Sequence, residues 1–354
     1  MSLLEPLVFK NGITAKNRIA LAAMTNSQSH ADGTLGDDEL NWLTHRAKGG
    51  FGIITTCASH VAKDGQGWVG ELGTFSDAHI PGLTRLADAM RVEGALTFAQ
   101  LFHGGLRADP ELTGERPWSA SEGEGIRAAT EGDITRVIGQ FADAAARCHK
   151  AGLDGVELHG AHGYLLTQFL SVTDNRRTDA WGGSLENRAR LIRQVMQAVR
   201  KRVPASFVVG VRISPEDFGQ AKGMDLDESV QTARWLEEDG ADFIHLSLWR
   251  SATMTQKRPT EHAASVFRAA VSVPLFVAGG IWTKEEGEHI LSLGADGIAL
   301  GRSAIANAAW PNRIQDPTWQ PQRPPLTPEA LQAEGLSPAF VGYMRRWKNF
   351  VTEP

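Results

Sequence analysis

Four short words in the chain share one shape. They read KGGFGIITT at 48–56, AGLDGVELH at 151–159, DGADFIHLS at 239–247 and LGADGIALG at 293–301. Each leaves a helical stretch through a glycine-bearing turn and enters an apolar run with no polar alternation. Such runs suit strands buried on both faces, as in a parallel sheet covered by helices. A word that recurs with this order is the mark of a repeating βα unit.

The stretches between the words complete the count. Strands are expected at Asn17–Met24, Phe51–Ala58, Ala95–His103, 155–159, Phe207–Ser214, Phe243–Leu248, Pro274–Ile281 and Gly297–Gly301. Helical spacing falls at Asp37–Lys48, Pro81–Gly94, Ile134–Lys150, Ala189–Arg202, Asp227–Glu238, Ala263–Ala270 and Lys284–Leu293. Gly49-Gly50 ends the first helix, the second has Pro near its start and Gly at its end, and Ser184 is an N-cap with Glu186 behind it. Eight such units predict an α/β fold: a single-domain (β/α)8 TIM barrel over 1–309. A doubly wound sheet fits less well, because no GxGxxG stands between a strand and a helix. Residues 104–129, rich in Gly, Pro, Glu and Ser, read as a long excursion after strand three with room for a short hairpin. Residues 310–354 read as a C-terminal extension packed on the barrel, since Trp347 and Phe350 favour burial.

Composition removes whole classes of function. A net charge of −5 gives no electrostatic footprint for nucleic acid. Two cysteines, Cys57 and Cys148, cannot frame disulfides or by themselves hold an iron–sulfur cluster. The start, MSLLEPLVFKNG, lacks the basic and apolar parts of a signal peptide, and no run approaches the ~18 apolar residues of a membrane span. Together these point to the cytoplasm, and a homo-oligomer is compatible with them.

In a barrel the chemistry sits where the strands end. Those ends carry Thr25, Ala58, Gln100, His103, His159, His162, Tyr164, Arg212, Ser247, Gly279-Gly280 and Gly301-Arg302. Two imidazoles and a phenol within six positions are donors and acceptors rather than core. The His pair could be a metal half-site, but HExxH and Cys-x-x-Cys are absent, so no metal is expected. Glycines after strand seven and Gly-Arg after strand eight make a phosphate cradle. Gln100 and Arg212 suit the pyrimidine edge of a flavin, because reduction builds negative charge there.

HGAHGYLLTQFLS at 159–171, followed by DNRRTDAWGGSLENR at 174–188, strongly resembles the old yellow enzyme family of FMN-dependent oxidoreductases. The resemblance covers about residues 5–305. It implies tightly but non-covalently bound FMN, reduced by NADH or NADPH, that passes hydride to an activated alkene. It implies that Gln100 in FAQLFHGG and Arg212 in VGVRIS contact the pyrimidine, and that AGGI and LGR, with Gly279, Gly280, Gly301 and Arg302, clamp the phosphate. Ala23, Met24 and Thr25 in AAMTNS and Ala58 would line the flavin, Thr25 tuning its potential. His159 and His162 would grip a substrate oxygen, and Tyr164 would donate the proton. Ala23 stands where many members carry proline, and the pairing of Thr25 with His162 mixes two branches. Trp249 and Trp282 are expected on the substrate side. Tyr343–Trp347 resembles the word of members in which an arginine, here Arg345, reaches a neighbouring subunit's site. Two other readings compete. A flavin-free phosphate-binding lyase or isomerase needs a lysine or carboxylate at a strand end, which is not found. A non-catalytic flavin-binding protein leaves His159, His162 and Tyr164 without a task.

Overall fold

The computed structural model describes residues 1–352; the final two positions of the C-terminal segment, 353–354, lie outside the described residues. Eight strands close into an all-parallel barrel in chain order: β1 (Ile19–Leu21), β2 (Ile53–His60), β3 (Leu96–Phe102), β4 (Gly155–Gly160), β5 (Val208–Ile213), β6 (Phe243–Ser247), β7 (Leu275–Ala278) and β8 (Gly297–Leu300). Helices α1 (Asp37–Lys48), α2 (Ile80–Val92), α3 (Glu131–Lys150), α4 (Leu185–Arg202), α5 (Leu226–Glu238), α6 (Ala263–Arg268) and α7 (Lys284–Ser292) connect them. The (β/α)8 TIM barrel expected from the repeated words is the fold.

The repeated words have a physical cause. In all four the glycine past the helix cap takes a left-handed φ: +100° at Gly50, +86° at Gly152, +106° at Gly240 and +105° at Gly294. That is the backbone turn by which a helix ends. Two residues on, in three of the words, an aspartate grips the start of the preceding strand at two points. Asp154, Asp242 and Asp296 accept the backbone N–H of Thr97, Val209 and Leu275 at 2.8, 2.8 and 2.9 Å. Their own N–H groups donate to the carbonyls of the same three residues. The clamp fixes register between β3 and β4, β5 and β6, and β7 and β8. The first word has Gly52 in this place, its N–H donating to the Ile19 carbonyl, and Asn17 stands in for the aspartate: its side chain accepts from the Ile19 N–H at 3.1 Å and donates to the Gly50 carbonyl at 2.7 Å.

The N-terminal end of the barrel is closed by aromatic packing. A two-stranded hairpin, Leu7–Val8 with Thr14–Ala15, sets Phe9 against Phe98 and Phe243, each at 6.0 Å between ring centres. Phe98 stacks on Phe243 at 5.6 Å, and Phe276 meets Phe243 edge-on. Sequence patterning misses this hairpin because two-residue strands have no period to read.

The opposite end is built from the long connections. Residues 104–129 hold a short helix, Pro110–Thr113, and two short strands, Trp118–Ser119 and Arg127–Ala128. These two pair in parallel, not as the expected hairpin. The DNRR word anchors this excursion. Arg177 donates to the carbonyls of Ala120 and Ala129 at 3.0 and 2.7 Å, and the Arg176 N–H donates to Ser121 Oγ at 2.8 Å. Ser184 caps α4, which begins at Leu185 rather than Ala189. The helix Leu165–Leu170 after β4 is wholly buried, so it lacks the amphipathic stripe that would announce it. From the C-terminal segment, Trp310, Leu331, Phe340, Val341, Met344 and Phe350 join the core, whereas Trp347, expected to be buried with Phe350, is exposed. Ser337 Oγ donates to Gln28 Oε1 at 2.6 Å, tying this segment to the connection after β1. Among the described residues no helix is long and apolar enough to cross a membrane.

Candidate active site

Strand register brings the expected residues together. Ala58 lies opposite Gln100, and His159 opposite Arg212. His159, Gln100 and Arg212 are buried. The rings of His159 and His162 stand 5.0 Å apart, and His159 and Tyr164 5.1 Å apart. Phe102 meets Tyr164 edge-on at 4.5 Å. The trio therefore shares one face at the C-terminal end of β4.

The backbone there is held under tension. His162 has φ +63°, a left-handed conformation uncommon for a side-chain-bearing residue. Both its backbone groups are fixed from elsewhere: its N–H donates to Ser214 Oγ at 3.1 Å, and its carbonyl accepts from Arg107 at 2.9 Å. Such strain persists where surroundings over-determine it, which is usual at functional sites. Gly163 follows with φ +73°, and a β-carbon there would meet the Gln220 carbonyl at 2.3 Å.

Arg212 donates to the Ala23 carbonyl at 3.2 Å and to Ser247 Oγ at 3.0 Å. The same hydroxyl lies 2.7 Å from His162 Nε2. Gln100 Nε2 donates to Glu157 Oε1 at 2.7 Å. Burial, reinforced by neighbouring His162 and Arg212, holds His159 well below the ordinary imidazole value. Burial and Arg212 do the same for His162. Both rings are thus neutral donors at neutral pH. Burial raises Tyr164, against the pull of Arg107, whose guanidinium lies 4.1 Å over the phenol ring.

Across the opening, the Gly279–Gly280 turn and Gly301-Arg302 face one another. Gly280 has φ +67°, and a β-carbon on it would approach Arg302 Nη2 to 3.4 Å. One on Gly301 would approach Met24 Sδ to 3.4 Å. Thr25 is half-buried beside Met24, and Ala23 is buried.

The NADH:flavin oxidoreductase / NADH oxidase family matches the chain over residues 2–319. A probable NADH-dependent flavin oxidoreductase, YqiG of Bacillus subtilis (strain 168), is 34% identical over 328 residues, covering 89% of this chain and 88% of that protein. The structure of an old yellow enzyme homologue from Zymomonas mobilis is similar at a TM-score of 0.83 and 27% identity, covering 94% of this chain and 96% of that one. Morphinone reductase in complex with tetrahydroNAD is similar at a TM-score of 0.81 and 25% identity, covering 100% and 98%. The chain belongs to the old yellow enzyme family. It is an FMN-dependent NAD(P)H oxidoreductase, which removes the flavin-free lyase or isomerase from the alternatives.

The residues of this old yellow enzyme fit FMN. Arg212 Nε and His159 Nδ1 are buried with no hydrogen-bond partner among the described residues. Leaving such groups unpaired is costly, so a polar ligand belongs against them. The glycine pair and Arg302 suit a phosphate.

The three residues expected on the substrate side each have neighbours of their own. Trp249 is exposed, stacked on Phe218 at 4.7 Å, with the Arg302 guanidinium 5.0 Å over its ring. Trp282 accepts at its carbonyl from Trp310 Nε1 at 2.7 Å and lies under Arg323. Arg345 is exposed at the end of the helix Pro338–Met344. Arg107, Glu157 and His245 also belong to this constellation, though no motif in the sequence marks them. A charged or imidazole residue inside the apolar runs GVELH and FIHLS was the available signal for the last two.

Proposed function

We propose that this enzyme reduces alkenes conjugated to a carbonyl or nitro group, with Tyr164 as the proton donor. One arrangement supports the reading above all: the rings of His162 and Tyr164 stand 5.0 and 5.1 Å from that of His159 at the barrel mouth, beside Arg212 and Gln100. When bound, FMN supplies the hydride chemistry that links NAD(P)H to the alkene.

The chain's own residues do the rest. His159 and His162, as neutral imidazoles, donate N–H to the substrate's carbonyl or nitro oxygen. Negative charge grows on that oxygen in the transition state, so these donors act as an oxyanion hole, worth ~2.7–4 kcal/mol each. The pull on the oxygen leaves the β-carbon electron-poor. Tyr164 holds its phenolic proton for the α-carbon. Arg107, over the Tyr164 ring, offsets charge left on the phenolate after transfer. Gln100 and Arg212 hold the flavin's pyrimidine edge, Gly279, Gly280, Gly301 and Arg302 its phosphate, and Ala23, Met24, Thr25 and Ala58 line it.

The test is a spectrum followed through one cycle without oxygen. The visible flavin band should bleach with NAD(P)H and return when a simple enone is added. Bleaching with no return for any enone or nitroalkene would leave a flavin reductase of some other kind.

A further inference from the structure

Two ionisable side chains stand inside the barrel, one layer below the residues placed against the flavin. Glu157 on β4 and His245 on β6 are 2% and 3% exposed. Burying a charge costs several kcal/mol unless it is well partnered, so a carboxylate here calls for a reason. Glu157 Oε1 accepts from Gln100 Nε2 at 2.7 Å, and Oε2 lies 2.7 Å from His245 Nδ1. His245 stands directly opposite Arg212 in the strand register.

The protonation of this layer follows from its contacts. Burial pushes Glu157 up, but His245, Arg212 and Gln100 outweigh it, and the carboxyl titrates below its ordinary value. Burial and Arg212 depress His245 more than Glu157 lifts it. Glu157 is therefore an anion, and it accepts from His245 Nδ1 on one side and Gln100 Nε2 on the other. An ionised carboxylate only accepts, so it fixes which way the Gln100 amide faces. Nε2 is turned toward Glu157, and the carbonyl is left for the cofactor side, where it presents an acceptor. The Glu157 charge also opposes that of Arg212, the cation beside the flavin.

We propose that Glu157, held by His245, is a positioning residue that orients Gln100 and sets the flavin's potential by partly cancelling the field of Arg212. The inference rests on the placement of Gln100 and Arg212 at the pyrimidine edge. Removing the anion leaves Arg212 uncompensated and favours any flavin form that carries negative charge there.

The test uses the holoenzyme and sulfite, which adds to oxidised flavin to give an anionic adduct read by loss of the visible band. Glu157→Gln should bind sulfite at least about tenfold more tightly, and its two-electron midpoint should rise by about 30 mV for each tenfold. Glu157→Asp, which keeps the charge, should stay near wild type. A packing role would instead give the same shift in both variants. His245→Leu leaves the carboxylate without its donor, favours its protonation and should shift in the direction of Glu157→Gln; it provides the reading if Glu157→Gln does not fold. Wild-type sulfite affinity in Glu157→Gln, or an equal shift in Glu157→Asp, overturns the proposal. Arg212→Gln should weaken sulfite binding. If it does not, the assigned flavin face is what failed, and the role of Glu157 falls with it.

Discussion

Ser247 Oγ lies 2.7 Å from His162 Nε2. It also accepts from Arg212, at 3.0 Å, so one hydroxyl joins the ring assigned to the substrate to the cation assigned to the flavin. Arg212 can only donate, so the hydroxyl accepts from it, while the direction of the Ser247–His162 bond follows the tautomer of the ring. Ser247→Ala should loosen both neighbours. Hydrogen bonds to charged groups are worth about 1.5–3 kcal/mol, so FMN affinity should fall about tenfold or more. Titration of the apoprotein with FMN, followed by flavin fluorescence, reads this directly. Wild-type affinity would mean that Ser247 does not hold Arg212 for the cofactor.

Arg302→Ala tests the phosphate cradle. The guanidinium is the charged member of the Gly279, Gly280 and Gly301 group, and its loss should weaken FMN about tenfold to a hundredfold. Trp249→Ala removes only the ring beneath that cation, at an exposed position. Its effect should be smaller, about 0.5–1 kcal/mol. Equal losses in the two variants would show that stacking rather than charge holds the phosphate side.

Much of this was legible in sequence, for reasons that can be named. The barrel was readable because Asp154, Asp242 and Asp296 impose one helix-to-strand word at three register points. His159, His162 and Tyr164 were readable because they are nearly contiguous. Arg107, Glu157 and His245 were not, because barrel closure alone brings them to their partners; Glu157 and His245 are 88 residues apart. The hairpin at Leu7–Ala15 and the buried helix Leu165–Leu170 were missed because neither carries a period.

Enone reduction should show no imidazole titration near neutrality. His159 and His162 are depressed, so they remain neutral as pH falls through the ordinary histidine value of about 6.5. Tyr164 is raised, so it remains protonated to above about pH 10. The rate of the pre-reduced enzyme with an enone should be flat between about pH 6.5 and 9. Stopped-flow across that range checks it. An acid limb near 6.5 that vanishes in His159→Asn would contradict the neutral-donor assignment.

Phe340→Ala should reveal how firmly the C-terminal segment docks. Phe340 is fully buried, edge-on to Trp42 of α1 at 5.2 Å. Truncating a buried phenylalanine costs about 3–5 kcal/mol. Denaturant unfolding should show a loss of that order. A loss under about 1 kcal/mol would indicate that the segment contributes little to the folded state.

The most direct test of the proposed chemistry separates the two half-reactions in Tyr164→Phe. Reduction of the bound FMN by NAD(P)H takes no proton from Tyr164 and should proceed at close to the wild-type rate. Reoxidation by a simple enone should slow by about 10²–10⁴, the range of general-acid contributions. Anaerobic stopped-flow measures both rates on one preparation. If Tyr164→Phe reoxidises with the enone as fast as wild type, the proton comes from water or another residue, and the role assigned to Tyr164 is wrong.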